Sequence, residues 1–296
     1  MPICVPTDHL GLYVHVPFCA RKCRYCDFPS GVPGGDGAVP RYLAALAREA
    51  AGRVRELDRP VQTVFIGGGT PTLLAPAQLR QLWETAVAPF PRLPEAEITI
   101  EANPGTLTPA HAAVLADLPV TRVSLGVQSF HPAELARLGR LHTPEEVEES
   151  VALLRAAGIP QLNLDLMYAL PGQTVATWEA TLRRALALAP DHLSCYALIL
   201  EEETPLARDV SAGILPAPGE EEEAGMTAVT AARLAEHGFT RYEVANAARP
   251  EAICRHNVGY WLGRDYLGLG PAAVSTLGGV RWRNAAADYA DRVLAG

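Results

Sequence analysis

Over its first 237 residues the chain alternates six times between a short aliphatic, β-branched run and a longer amphipathic stretch, and this rhythm narrows the fold more than any other feature. The runs predict strands at 12–16, 63–66, 98–101, 122–127, 162–167 and 193–198. The stretches predict helices at about 40–57, 76–88, 109–115, 144–157, 175–188 and 219–237. Pro40, Pro76, Pro109 and Pro144 sit in the first turns of four of them, where a missing N–H leaves nothing unpaired, and Gly158 offers the fourth a C-terminal stop. Strand-then-helix units in succession imply an α/β fold with a parallel sheet and right-handed crossovers. Six such units suit a partial (β/α)6 barrel of the TIM-like kind; an open doubly wound sheet is the alternative that periodicity leaves standing.

After His237 the rhythm stops. Residues 239–244 predict another strand, 268–271 is glycine-rich, and 277–283 with Gly278-Gly279 at its centre predicts a hairpin. The expected organisation is a core barrel over residues 1–237 and a small appended α+β region over 238–296.

Composition excludes several classes. With 296 residues, 49% of them hydrophobic, the chain can bury a full core. Its 25 basic and 33 acidic residues form no basic stripe, so nucleic acid is not an expected partner. No run approaches the length of a membrane span, and the first eight residues lack a signal peptide's charged and apolar segments, so a cytoplasmic location is expected. The six cysteines, at 4, 19, 23, 26, 195 and 254, are too unevenly spread for the disulfide framework of a small secreted domain.

Three of those cysteines, Cys19, Cys23 and Cys26, follow the first predicted strand with the spacing C-x3-C-x2-C. A loop at that place can wrap three thiolates around one inorganic centre. Iron–sulfur clusters take cysteine thiolates, usually four; three leave one iron of a [4Fe–4S] cube open to a small molecule. Arg21, Lys22 and Arg24 lie between the ligands, where positive charge favours thiolates. A structural zinc site is the competing reading, with His15 or Cys4 as its fourth ligand.

The cysteine spacing, with Tyr25 before the third cysteine, resembles the signature of the radical S-adenosylmethionine (SAM) superfamily. Further stretches are similar to the branch of oxygen-independent coproporphyrinogen III dehydrogenase and the HemW-type haem chaperones: Tyr13-Val14-His15-Val16-Pro17-Phe18, Gly67-Gly68-Gly69-Thr70-Pro71-Thr72, Glu101-Ala102-Asn103-Pro104, Ser124-Leu125-Gly126-Val127-Gln128-Ser129 and Asp165-Leu166-Met167-Tyr168. The resemblance implies a partial (β/α)6 barrel, a [4Fe–4S] cluster on Cys19, Cys23 and Cys26, and SAM on the open iron, cleaved by a cluster electron to a 5′-deoxyadenosyl radical. It implies further that Tyr13 lies beside the cluster and adenosine. Gly68, Gly69 and Thr70 would meet the SAM amino group, Glu101 and Gln128 the ribose and methionine portions, Arg140 the carboxylate, and Asp165 the ribose. Capping roles for Gln128 and Asp165, and a surface ion pair for Arg140, are the plainer alternatives.

Phe28 stands where the dehydrogenases carry a fourth cysteine, and His256-Asn257-Val258-Gly259-Tyr260-Trp261 matches the H-N-x-x-Y-W motif of the chaperone branch. Both favour a haem chaperone over a porphyrinogen dehydrogenase or another radical SAM enzyme. Haem as cargo, acceptor haemoproteins such as membrane-associated respiratory enzymes, and an electron donor of the flavodoxin or ferredoxin kind are the partners implied. His256 is the candidate haem ligand, with Cys254 behind it; a packed structural corner is the other reading of the motif. Val274 stands where relatives often carry histidine, and the chain ends at Gly296, where relatives usually continue.

Overall fold

A computed structural model describes residues 8–295. Six parallel strands lie side by side in chain order: β1 (Leu10–Val16), β2 (Val61–Gly68), β3 (Arg92–Ala102), β4 (Arg122–Gln128), β5 (Gln161–Tyr168) and β6 (His192–Ala197). Because each crossover steps in the same direction, the order never reverses, and the doubly wound alternative is excluded. β1 and β6 do not pair with each other, so the arc is a partial barrel. The helices between them are α1 (Ala38–Arg53), α2 (Pro76–Leu82), α3 (Pro109–Asp117), α4 (Pro132–Leu138), α5 (Pro144–Ala156) and α6 (Val175–Ala187), and then α7 (Pro205–Ser211) and α8 (Glu220–Glu236) follow β6. The predicted helix at 76–88 is regular only to Leu82 and then widens into a single π turn, Trp83–Val87. The strand predicted at 98–101 begins earlier, at Arg92.

Later residues extend both edges of the same sheet. β7 (Thr240–Arg241) and β8 (Asn246–Ala248) lie antiparallel beyond β6, in place of one strand over 239–244. After α9 (Arg255–Trp261), β9 (Asp265–Leu269) runs parallel to β1, and β10 (Val274–Leu277) and β11 (Val280–Arg283) form the expected hairpin. Gly278 and Gly279, both at positive φ, supply its two-residue turn. A short helix, α10 (Tyr289–Ala295), packs on α1.

The two faces of the curved sheet differ in chemistry. On one, Ile98, Ile100, Val123, Leu125, Leu162, Leu164, Leu166 and Leu193 pack under the helices in one apolar core. On the other, Thr99, Glu101, Ser124, Asn163, Asp165, His192 and Ser194 line the lumen. Strand residues two apart share a face, so in β5 the leucines at 162, 164 and 166 face the helices and Asn163 and Asp165 face inward.

Candidate active site in the barrel lumen

The C-terminal ends of β2 to β6 and the loop after β1 enclose an open cavity of about 400 Å³, a size usual for small-molecule sites. The cysteine loop forms one wall. It is closed at its base by Cys19 N–H donating to the Gly31 carbonyl (2.9 Å) and Gly31 N–H to that of Pro17 (2.9 Å). α4 and α7 hold it from outside: Arg24 N–H donates to the Leu138 carbonyl (3.0 Å), Leu206 N–H to that of Arg24 (2.9 Å), and the Arg24 guanidinium pairs with Asp209. Arg21 donates to the Gly139 carbonyl at the left-handed end of α4 (2.8 Å).

Cys19, Cys23 and Cys26 all border the cavity. The Thr70 hydroxyl lies 3.8 Å from Cys19 Sγ, and Arg140 Nη1 donates to Cys23 Sγ at 3.5 Å. Burial raises the Cys26 pKa, so a group that takes its thiolate has to supply positive charge. Among the described residues no three or more His, Cys, Asp or Glu side chains converge as a single ion requires. A cube takes each thiolate at a different iron and needs no such convergence. His15 is not a spare zinc ligand either: its Nδ1 meets the Tyr13 hydroxyl (2.9 Å) and its Nε2 the Pro29 carbonyl (3.0 Å). Cys4 lies outside the described residues.

The glycine loop after β2 presses against the cysteine loop. Gly69 N–H donates to the Val16 carbonyl (2.7 Å) and Thr70 N–H to that of Phe18 (2.6 Å). A Cβ at Gly69 would fall 2.5 Å from the Phe18 carbonyl oxygen, and Gly68 has φ +103. Glycine is required here because backbone approaches backbone. Gly68 N–H donates to Glu101 Oε2 (2.9 Å).

Glu101, Gln128, Arg140 and Asp165 are brought to the same cavity from four segments. Burial, with the Asp165 carboxylate adding to it, pushes the Glu101 carboxyl up to about 8. Asp165 accepts from the Ser124 hydroxyl (2.9 Å) and Asn163 Nδ2 (2.8 Å). Gln128, at the irregular end of β4, has φ 66, a left-handed conformation uncommon for glutamine and of the kind that gathers at functional sites. Arg140 also donates to the Gly126 carbonyl (2.5 Å) and to Asn103 Oδ1; it is no surface ion pair. Tyr13 alone of these positions does not line the cavity; its ring packs on Phe65 (6.4 Å between centroids), which does.

The lumen also holds a buried hydroxyl without a partner, Thr99 Oγ1. An unsatisfied lining group, hydrogen-bond donors aimed at two cysteine sulfurs, and carboxylates on the opposite wall fit a cluster together with a cationic, hydroxyl-bearing ligand.

At the other end of the barrel the residues after β8 form a floor. Glu97 accepts from the backbone N–H of Arg255 (2.9 Å) and His256 (3.0 Å), and Arg122 Nη1 lies 3.3 Å from it. His256 is buried, its Nδ1 2.8 Å from the Thr63 hydroxyl and its Nε2 2.8 Å from the Tyr260 hydroxyl. Burial lowers its pKa to about 3. Neither nitrogen is open to haem iron in this arrangement, which departs from the haem-ligand expectation, and His256 does not line the cavity. Cys254 is also buried, its thiol pushed up to about 12 by burial and beside Glu97. A thiol so held is a poor metal ligand.

Sequence reasoning gave no role to Asn103, although it lies in one of the stretches quoted above, and passed over Asn163 and His192; each lines the cavity. Asn163 lies two residues from Asp165 on the same face of β5, and that spacing was the signal available; Asn103 lies just past the end of β3, where its amide donates to the Thr70 hydroxyl (2.7 Å). Also passed over were α4 and α7, seven residues each, although Pro132 and Thr204-Pro205 mark their starts.

A model of the radical SAM superfamily matches residues 13–185. The chain is 41% identical over 283 residues to the heme chaperone HemW of Mycobacterium tuberculosis, covering 95% of this chain and 73% of that protein. Against the heme chaperone HemW of Escherichia coli it is 38% identical over 268 residues, covering 89% and 69%. The solved structure of E. coli coproporphyrinogen III oxidase (HemN), a radical SAM enzyme, matches with a TM-score of 0.83 and 28% identity over 95% of this chain and 68% of that one. The sheet order, the cysteine loop at the barrel mouth and these similarities agree: the chain belongs to the radical SAM superfamily, in the branch of the HemW heme chaperones.

Proposed function

We propose that this protein binds haem and passes it to acceptor haemoproteins, with respiratory enzymes of the membrane among them. The observation that carries the reading is the 41% identity, spread over 95% of the chain, to a protein named as a heme chaperone. The supporting geometry is at the cavity mouth, where the exposed side chains of Phe28 and Leu141 give an apolar rim beside Arg21 and Lys22. That pairing suits a flat apolar ring with anionic groups.

Cys19, Cys23 and Cys26 would hold a [4Fe–4S] cluster, and SAM would occupy the cavity beside it. The cluster held there would supply one-electron reducing chemistry toward the SAM sulfonium, fed by a flavodoxin- or ferredoxin-like donor. The chain's own part is to position. Thr70 and Arg140 donate hydrogen bonds toward the cysteine sulfurs, which favours thiolates. The glycine strap, tied to the cysteine loop through the Gly69 and Thr70 N–H groups, brings Gly68 and Gly69 to the cavity wall. Glu101 and Asp165 offer acceptors to an amino group or to ribose hydroxyls, and Arg140 offers a guanidinium to a carboxylate. The lumen supplies polar partners on its inner face and no bulk solvent from below, because Glu97, Arg122 and α9 close the floor.

The test is anaerobic reconstitution followed by haem titration. A saturable Soret shift is expected, with about four irons and four sulfides per chain. A flat titration overturns the chaperone reading, and conversion of coproporphyrinogen in the presence of SAM and reductant would replace it with the dehydrogenase reading.

A further inference from the structure

Asp165 is held by a chain of hydrogen bonds that runs from the cavity to the sheet edge built by β7 and β8. The strand registers create it. Ser124 lies opposite Asn163 across β4 and β5, and Asn163 lies opposite His192 across β5 and β6, so three polar side chains stand in one row inside the lumen. Asn163 Nδ2 donates to Asp165 Oδ1 (2.8 Å) and to Ser124 Oγ (2.7 Å). With its amide nitrogen so committed, Asn163 presents Oδ1 to His192 Nδ1, 2.6 Å away. An amide oxygen only accepts, so Nδ1 carries the proton and Nε2 is bare. Nε2 therefore accepts from the Tyr242 hydroxyl (2.7 Å), which in turn accepts from the backbone N–H of Cys254 (3.3 Å).

Every donor in this series points the same way, from Cys254 through Tyr242, His192 and Asn163 to the carboxylate. The Ser194 hydroxyl joins at Asn163, 3.0 Å from Nδ2 and 3.2 Å from Oδ1; turning the Asn163 amide over would set its oxygen against the Asp165 carboxylate and leave buried groups unpaired, at about 1–3 kcal/mol each. His192 and Asn163 are both buried, and burial keeps His192 neutral, its pKa well below the ordinary value.

We infer that His192 and Tyr242, neither of which needs to touch the ligand, are positioning residues that fix the Asp165 carboxylate so that its remaining lone pairs meet a ribose hydroxyl of SAM. The inference rests on the reading that SAM occupies the cavity. It also gives the residues after β6 a part in ligand recognition, through Tyr242 and Cys254.

The experiment compares equilibrium binding of SAM with that of its 2′,3′-dideoxyribose analogue, on reconstituted protein, with melting temperature and iron content recorded for each variant. Wild type should favour SAM over the analogue by about tenfold, the worth of one charge-assisted hydrogen bond. In His192→Leu that preference should vanish. In Tyr242→Phe, where Asn163 still keeps the proton on Nδ1 but the ring loses the hydrogen bond that anchors its far side, it should fall about threefold. His192→Asn places an amide donor where Nδ1 stood and should restore the preference, a rescue that packing alone would not give. A purely structural role would weaken both ligands equally. If His192→Leu does not fold, Tyr242→Phe and His192→Asn decide the matter on the same ratio. Wild-type discrimination that survives intact in Tyr242→Phe and in any folded His192→Leu protein overturns the relay alone. Wild-type protein that binds SAM and the analogue equally overturns the Asp165–ribose contact, and the inference with it; wild-type protein that binds neither overturns the SAM reading itself.

Discussion

The outer and inner faces of the barrel strands follow opposite rules. Outside, Leu162, Leu164, Leu166 and Leu193 are almost fully buried beneath the helices and make the apolar core. Inside, where closed barrels of this type stack branched apolar side chains in layers, the same strands present Asn163, Asp165, His192 and Ser194 to one another and to a cavity. The outer face holds the fold together by area removed from water. The inner face holds a site together by hydrogen bonds whose partners must all be present. A large share of this protein's buried polar chemistry therefore sits where a packing core would otherwise be.

The difference is open to attack, beginning with the largest effect. Leu164→Ala, on the outer face, should cost about 2–5 kcal/mol of stability and leave SAM affinity unchanged; equal loss of both in chemical denaturation and binding assays would mean that the two faces are not separable. Glu101→Gln probes the inner face through pH. The Glu101 carboxyl ordinarily titrates near 4.5 and here near 8, so between those values the folded, ligand-free protein keeps a proton that the unfolded chain has lost. Wild-type stability contributed by this group is full below pH 4.5 and declines as pH rises through 8. The variant has no such decline, and its advantage should grow by about 1–3 kcal/mol from pH 5 to pH 8.5, read from melting curves of metal-free protein; parallel curves would contradict the raised carboxyl. Thr99→Val should change stability by less than about 0.5 kcal/mol, since its hydroxyl is buried and unpartnered and the isosteric methyl leaves nothing newly unpaired. A substantial destabilisation in the same denaturation assay would show that the hydroxyl has a partner in the lumen.

The sequence carried much of this architecture, though not the direction of its faces. The pattern Gln161-Leu162-Asn163-Leu164-Asp165-Leu166 shows that alternate residues differ. It does not show that the polar set faces a lumen; the usual expectation sends such a set to solvent. The cysteine spacing was readable because Cys19, Cys23 and Cys26 lie within eight residues on one loop. His256 was not, because the partner that commits its Nδ1, Thr63, lies 193 residues away. The same holds for Tyr242, which meets His192 only after the chain has returned to the edge of the sheet. α4 and α7 escaped periodicity because two helical turns are too few to establish a repeat, yet both turned out to buttress the cysteine loop.

The parallel pairing of β1 with β9 has a consequence for synthesis. Leu10 pairs with Asp265 and Val14 with Leu269, so the outward edge of the first strand cannot be satisfied until the ribosome has passed residue 269. At about 5–20 residues per second that is a delay of roughly 13–50 s. During it, β1 offers a row of unpaired amides and carbonyls to any neighbour in the crowded exit region. The nascent chain thus carries an open strand edge until β9, about 255 residues downstream of its β1 partner, emerges to seal it.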